Sequence, residues 1–501
     1  MAPFRPQSLS FWGWGLLIWG APWSPALMSA ATGLVGIGAI WAWFIGRRQP
    51  KDGSTTLSIS MPETWLVLLM AWQLISLSWS ENVEFGLHIL SIQMAMLVLV
   101  WAWKVVPLRS TDLAGKWMFR SVAIALTVIL IFGGWKVWNG QALLGRDWTP
   151  WMSHIRISMM ASVAWVWGSK SHGSWGSWIF LVLWGAFIWV TGSLTGFLLL
   201  PLSLMWSFWG SASKNAKRLF ATSGLIAAAA ATVLLVIWLQ PVPLPMDVDE
   251  LPTHTSQGNP YTHHPDRVLS EGGHRLHLFV CRSEWDDAWA QVSDQPLDLK
   301  NERGFQLQDR LLRYLTSKGW PKDREHILKL TPDEVQAIEN GATTVQVETG
   351  LKLRISQLKR GWEIWQDGGD ASGHSILQRI EHWSVGAHAW LQSPWVGHGA
   401  GDTQIAMNQG YDALHSSLAP QHRHRAHMQH LTWAISGGLF GWLLWIGFSW
   451  TWWRQIGLGS RQALWGGLVV ALSCFFEDTW ESQAGIVVSF LALFASWQHK
   501  D

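Results

Sequence analysis

Apolar residues run in long blocks along most of the chain. The blocks fall near residues 8–26, 27–46, 62–79, 85–104, 117–136, 157–169, 174–191, 195–211, 219–240, 431–453, 462–476 and 484–497. Most approach the ~20 residues that carry an α-helix across hydrocarbon. The pattern predicts an all-α polytopic membrane protein of about twelve transmembrane helices, nine within residues 1–240 and three within 431–501. One large insert, 241–430, precedes the tenth helix. The sixth and eleventh blocks are the shortest.

Inside the insert the pattern changes. A Pro- and His-rich stretch, "QPVPLPMDVDELPTHTSQGNPYTHHPD", is too broken for regular structure. "FQLQDRLLRYLTSKGWP" (305–321) then sets Leu307, Leu311, Leu312 and Leu315 on one helical face, stopped by Gly319 and Pro321. In "LTPDEVQAIENG", Thr331 is the expected N-cap, with Pro332 first in the helix, Glu334 completing a capping box and Gly341 ending it. Leu351, Ile355, Leu358, Trp362 and Trp365 recur at helical spacing, and a last helix is expected from Ser375 to about Leu391. The insert therefore reads as mainly helical.

Composition sharpens this picture. Only 14% of residues are charged, below the roughly 25% of soluble domains. The insert holds 42 of the 70 charges, so the net charge of +2 averages two solvents and points to no nucleic-acid partner. Tryptophan, at 42 residues, fills span interiors as well as ends ("FWGWGLLIW", "VAWVWG") and reads mainly as bulk hydrophobe rather than as sugar-stacking rings. Cys281 and Cys474 lie in different settings and form no disulfide framework. The first apolar block could pass for a signal peptide, but a second block follows at once, which favours a retained helix.

Lys and Arg in the short loops give the orientation. With the N-terminus inside, fifteen fall on the cytoplasmic side: Arg5, Arg47, Arg48, Lys51, Lys104, Arg109, Lys116, Arg120, Lys170, Lys214, Lys217, Arg218, Arg454, Arg461 and Lys500. Three (Lys136, Arg146, Arg156) fall opposite. Both termini are then expected on the cytoplasmic side and the insert on the opposite, outer side.

Three features carry candidate chemistry. "SPWVGHGAGDT" (393–403) is a glycine turn, either a structural joint or an anion cradle built from backbone N–H groups. "RHRAHMQH" (423–430) crowds histidines and arginines where the chain meets an apolar block. It fits a solvated interfacial patch, a metal site or one catalytic histidine beside anion-binding neighbours. Arg156 and Arg379 could snorkel or pair with an acid such as Glu381, or bind phosphate through their guanidinium forks. Ionisable groups at mid-span and paired repeats, the marks of a transporter, are nearly absent.

Taken in order, Arg379, Trp383, "SPWVGHGAGDT", His427 and the Gly438–Gly441 pair of "GGLFG" resemble the signature of the O-antigen ligase and polymerase superfamily. "LLRYLTSKGWPKDREHILKLTPDEVQAIENG" and "FFEDTWESQAG" resemble its Bacteroidetes-type branch. The resemblance covers residues 305–485 well and spans three to twelve loosely. It implies a metal-independent, inverting glycosyltransferase without a cofactor, using a polyprenyl (undecaprenyl) diphosphate-linked glycan as donor. The acceptor would be a hydroxyl of lipid A–core. A polymerase, or a protein O-oligosaccharyltransferase, would share the donor chemistry. His427 would be the base, with Arg379 and Arg156 on the diphosphate. Gly397, Gly399, Gly401, Arg425 and Gln429 would bind substrate. Two departures bear on the acceptor side: Met428 stands where Asn is usual, and Ser436 where an acid is usual.

Overall fold

The structure, a computed structural model, describes residues 6–48, 60–108, 110–140, 148–149, 151–209, 213–300, 306–345, 350–369, 375–457 and 461–494. Arg5, Lys51, Arg109, Arg146, Lys500 and Phe305 lie outside the described residues, as do the ends of the eighth and twelfth expected spans. In chain order the helices begin α1 (Pro6–Gly20), α2 (Pro25–Arg48), α3 (Met61–Ser76), α4 (Val83–Val105) and α5 (Thr111–Trp138). There follow α6 (His154–Gly168), α7 (Gly173–Thr191), α8 (Leu194–Trp209) and α9 (Lys214–Trp238). Next come α10 (Trp285–Trp289), α11 (Leu307–Ser317), α12 (Arg324–Leu328), α13 (Pro332–Glu339) and α14 (Gly350–Gln366). The last are α15 (Ser375–Gln392), α16 (Thr403–Ala413), α17 (Gln429–Gly457), α18 (Arg461–Phe476) and α19 (Gln483–Phe494). Contacts sort the chain into two compact units, Met1–Lys217 with Arg379–Asp501, and Arg218–Gln378.

The first unit is built from apolar helices. Five segments are long and apolar enough to cross a membrane: Pro25–Ile45, Val83–Val105, Asp112–Trp138, Gly173–Thr191 and Gln429–Gln455. Leu194–Trp209, Arg461–Phe476 and Gln483–Leu493 are shorter apolar helices. The chain is thus a mainly helical, multi-pass membrane protein. Local chemistry sets the helix ends. The first apolar stretch turns at residues 21–24, earlier than the expected 26–27, because Pro25 opens α2 with Ser24 before it, whose hydroxyl accepts from Ala26 N at 3.2 Å. Asn82 caps α4 by accepting from Phe85 N at 3.0 Å, and Ser110 caps α5 by accepting from Leu113 N at 3.1 Å.

Hydroxyls tie the apolar helices where hydrophobicity gives no preference between protein and lipid. Ser158 meets Ser193 at 3.1 Å and Ser162 meets Ser203 at 2.8 Å, while Trp465 Nε1 donates to Ser162 Oγ at 3.0 Å. Tryptophan serves as filler: Trp14, Trp184, Trp433 and Trp480 are buried, and Trp14 stacks on Phe490 with ring centroids 5.4 Å apart.

The second unit has its own core of Trp285, Trp289, Leu307, Leu311, Leu315, Ile327 and Ile338. As expected, the leucine face of α11 is buried, and Thr331 and Glu334 make the capping box of α13, Thr331 N donating to Glu334 Oε2 at 3.0 Å. A two-stranded antiparallel hairpin, β1 (Ser270–Glu271) and β2 (His274–Arg275), was not expected. It turns on Gly272 and Gly273, both at positive φ.

Candidate functional site

The residues singled out in the first unit meet a feature the sequence reading did not assign, the acidic segment after α18. α15 presents Arg379, His382 and Trp383 at i, i+3 and i+4, on one side of the helix. Arg379 Nη2 donates to Glu477 Oε1 at 3.0 Å. His427 faces the same segment: its Nδ1 lies 4.0 Å from Glu477 Oε2 and 3.9 Å from Asp478 Oδ2. Its backbone N–H donates to Asp478 Oδ2 at 3.2 Å, while the other oxygen of Asp478 accepts from Thr432 Oγ1 at 2.6 Å. Asp478 therefore pins the backbone of His427, which sits at φ +49°, a left-handed conformation costing a side-chain-bearing residue about 1–2 kcal/mol.

The remaining expected residues attach around this centre. Arg156, at the start of α6, lines a cavity of about 90 Å³ together with Glu477, Ser473 and Thr479. Glu477 attracts the Arg156 guanidinium across it. The volume suits a phosphate-sized group, being well below the ~300–1,000 Å³ of a cleft for a drug-sized ligand. Arg425 forms an ion pair with Glu481. Gln429 is fully buried, and its side-chain oxygen accepts from Trp480 N at 2.6 Å. Gln429 thus holds the acidic segment in place and is not open to a substrate. Two of the three guanidinium groups, Arg379 and Arg425, are thus held by a carboxylate, while Arg156 shares its cavity with Glu477.

Three imidazoles gather here as well. The ring of His382 lies 5.4 Å from that of His427 and 6.0 Å from that of His424, and the latter two are 5.8 Å apart. His382 is buried, its Nε2 paired with His422 O at 3.1 Å and its Nδ1 without a partner. Burial pushes it down to about 4, with neighbouring cations acting in the same direction. Burial also lowers His424. His382 is therefore a neutral packing and hydrogen-bonding group near neutral pH. Among the described residues no three His, Cys, Asp or Glu side chains are placed to share a metal ion.

Of the two readings of the glycine turn, a structural joint and an anion cradle, the hydrogen bonds favour the joint. Its N–H groups from Gly397 to Asp402 all donate within the chain. Gly397 N donates to Ser393 O at 3.1 Å, and His398 N and Gly399 N donate to Ile435 O and Ser436 O, both at 2.9 Å. Ala400 N and Gly401 N donate to the hydroxyls of Ser76 and Ser80 at 3.1 and 3.0 Å, and Asp402 N donates to Gly399 O at 3.2 Å. Gly397, Gly399 and Gly401 are small because the backbones of α17, α3 and α4 press on them. A Cβ on Gly401 would lie 1.9 Å from Asn82 O. The turn locks into α17 where that helix breaks at Gly438 (φ 63°, ψ −163°), whose missing Cβ leaves room for Trp395. The structure thus gives these three glycines a joint between helices, with no N–H left for an anion.

The structure therefore brings Arg379, His427 and Arg156 together around Glu477, brings Arg425 in through Glu481, and ties the N–H groups of the three glycines and the side chain of Gln429 into the fold. Glu477, Asp478, Glu481 and His382 had no role in the sequence reading. An acidic doublet closing an apolar block, "CFFED", was the available signal. Compared with known proteins, the chain matches no family model and no curated relative.

Proposed function

We propose that the chain is a membrane glycosyltransferase of the O-antigen ligase type. It moves a glycan from polyprenyl diphosphate to a hydroxyl of lipid A–core, on the periplasmic face of the inner membrane. In this reading there are twelve spans and both termini are cytoplasmic. The observation that supports it is the convergence of Arg379, Arg156 and His427 on Glu477 beside apolar helices. An amphiphilic donor keeps its prenyl chain in lipid and its diphosphate at the water boundary, so cations and a base are needed at that depth.

The acceptor hydroxyl gives its proton to His427 as its oxygen bonds to the anomeric carbon. The bond from that carbon to the phosphate oxygen breaks with inversion, and the electron pair leaves with the diphosphate. Arg379 and Arg156 exchange carboxylate for phosphate oxygens and take up the developing charge, the task a divalent ion performs elsewhere. Glu477 and Asp478 each have an oxygen about 4 Å from the His427 Nδ1.

The test is transfer by the purified chain in nanodiscs, with undecaprenyl-diphosphate-linked glycan and lipid A–core, in the presence of EDTA. Glycan appearing on lipid A–core supports the reading. Glycan that only lengthens on its carrier makes the protein a polymerase, and no transfer to any hydroxyl acceptor removes the enzyme assignment.

A further inference from the structure

Within the second unit, one face of α14 is fastened by ion pairs and hydrogen bonds. Arg360 pairs with Glu271 at 2.8 Å, and the buried carboxylate of Glu363 receives the N–H and hydroxyl of Ser270 at 2.8 and 2.7 Å. Just past the helix, Asp367 accepts from Val268 N at 2.7 Å. The other face carries Ile355, Leu358, Trp362 and Trp365, spaced as one helical stripe. Ile355 and Trp365 are 44% and 49% exposed, and the Trp362 and Trp365 rings lie 5.0 Å apart. Lys352 and Lys359 flank the stripe.

The neighbour of this helix indicates which solvent the stripe meets. Lys359 Nζ stands 5.7 Å from the ring centroid of Trp238, the last residue of α9. Val233 to Ile237, just before it, are apolar and each at least 46% exposed. Five successive positions point all round a helix, so among the described residues the end of α9 is left uncovered on every side, which suits lipid. Lys359 thus sets α14 beside the end of α9. We propose that α14 is an interfacial helix. It seats its Ile355–Leu358–Trp362–Trp365 stripe at the acyl boundary and sets Lys352 and Lys359 against anionic headgroups, beside the point where α9 leaves the bilayer. Tryptophan pairs and flanking lysines are the composition that such a position favours. The occupant of the stripe is the bilayer surface, because the helix lies beside the exposed apolar end of α9 and its flanks are cationic.

The test uses the full chain in phosphatidylglycerol-containing nanodiscs, with a nitroxide on Ile355→Cys and, as control, on Gln357→Cys. Collision rates with oxygen and with a water-soluble nickel chelate are compared. The expected result is an oxygen-to-nickel ratio several-fold higher at position 355 than at 357. Preferential relaxation by nickel at 355 would place the stripe in water, and exclusion of both reagents would place it under protein; either result overturns the proposal. Trp365→Cys, on the same stripe, provides the same reading if the first variant does not assemble.

Discussion

Arg379 on α15 and Glu477 at the end of α18 are 98 residues apart in sequence and joined by a hydrogen-bonded ion pair at 3.0 Å. An arginine held in this way is already oriented when an anionic group arrives to exchange with the carboxylate. In the proposed reaction, Arg379→Ala lowers turnover by about 10²–10³. Arg379→Lys keeps the charge but not the planar fork, and recovers only a small part of the loss. Single-turnover transfer in nanodiscs measures both. Wild-type rates in the alanine variant would remove Arg379 from the donor site.

His427→Ala is expected to lower turnover by about 10²–10⁴, the range for a lost general base. Its backbone conformation predicts a second effect. His427→Gly relieves the left-handed strain at φ +49°. That variant should therefore melt no lower than His427→Ala while being equally inactive. Thermal unfolding in detergent beside the transfer assay separates the two effects.

The glycine joint makes a stability prediction. A methyl at Gly401 meets Asn82 O at 1.9 Å, and backbone cannot yield as a side-chain tip can. Gly401→Ala should cost about 1–3 kcal/mol or prevent assembly. Gly134→Ala in α5, with nothing within 4 Å of the added atom, should leave the melting temperature unchanged. Equal melting of the two variants contradicts the described packing.

His382 gives the fold a pH limit. Its folded-state value is pushed down to about 4 by burial, from 6.5 in an unfolded chain. Between these values the unfolded chain binds the proton and the folded chain does not. Stability is therefore full above 6.5 and falls as pH drops toward 4, by about 3 kcal/mol in all. Groups around the ring include His424, His427, Arg379 and Tyr411. His382→Asn should flatten the loss in melting temperature between pH 7 and pH 4.5, and an unchanged slope assigns the pH response to other groups.

Sidedness is open to labelling. Cys281 and Cys474 are buried, so a single added thiol reads cleanly. Gln257→Cys, on an exposed turn, should react with an impermeant maleimide in spheroplasts without lysis. Reaction only after lysis would turn the proposed topology over.

Much of this was legible in the sequence because it depends on near neighbours. Thr331 and Glu334 are three residues apart, and the leucine face of α11 spans nine. The joint was legible only by half. Alternating glycines announce a close approach, but their partners Ser76 and Ser80 lie 324 and 321 residues from the N–H groups they accept. No local pattern distinguishes such a joint from an anion cradle. Glu477 and Asp478 look like an ordinary polar cap until the fold sets Arg379 and His427 opposite them. His382, one of two histidines beside tryptophans on an amphipathic helix, carries no local mark of burial.

The contact between Gly397 and Gly438 also bears on how this chain can change over time. The space a Cβ would take at each position is filled by main chain from the other's segment, and neither residue has any atom left to give up. A larger residue at one position therefore has no compensating exchange at the other. In descendants of this sequence the two sites should stay fixed together.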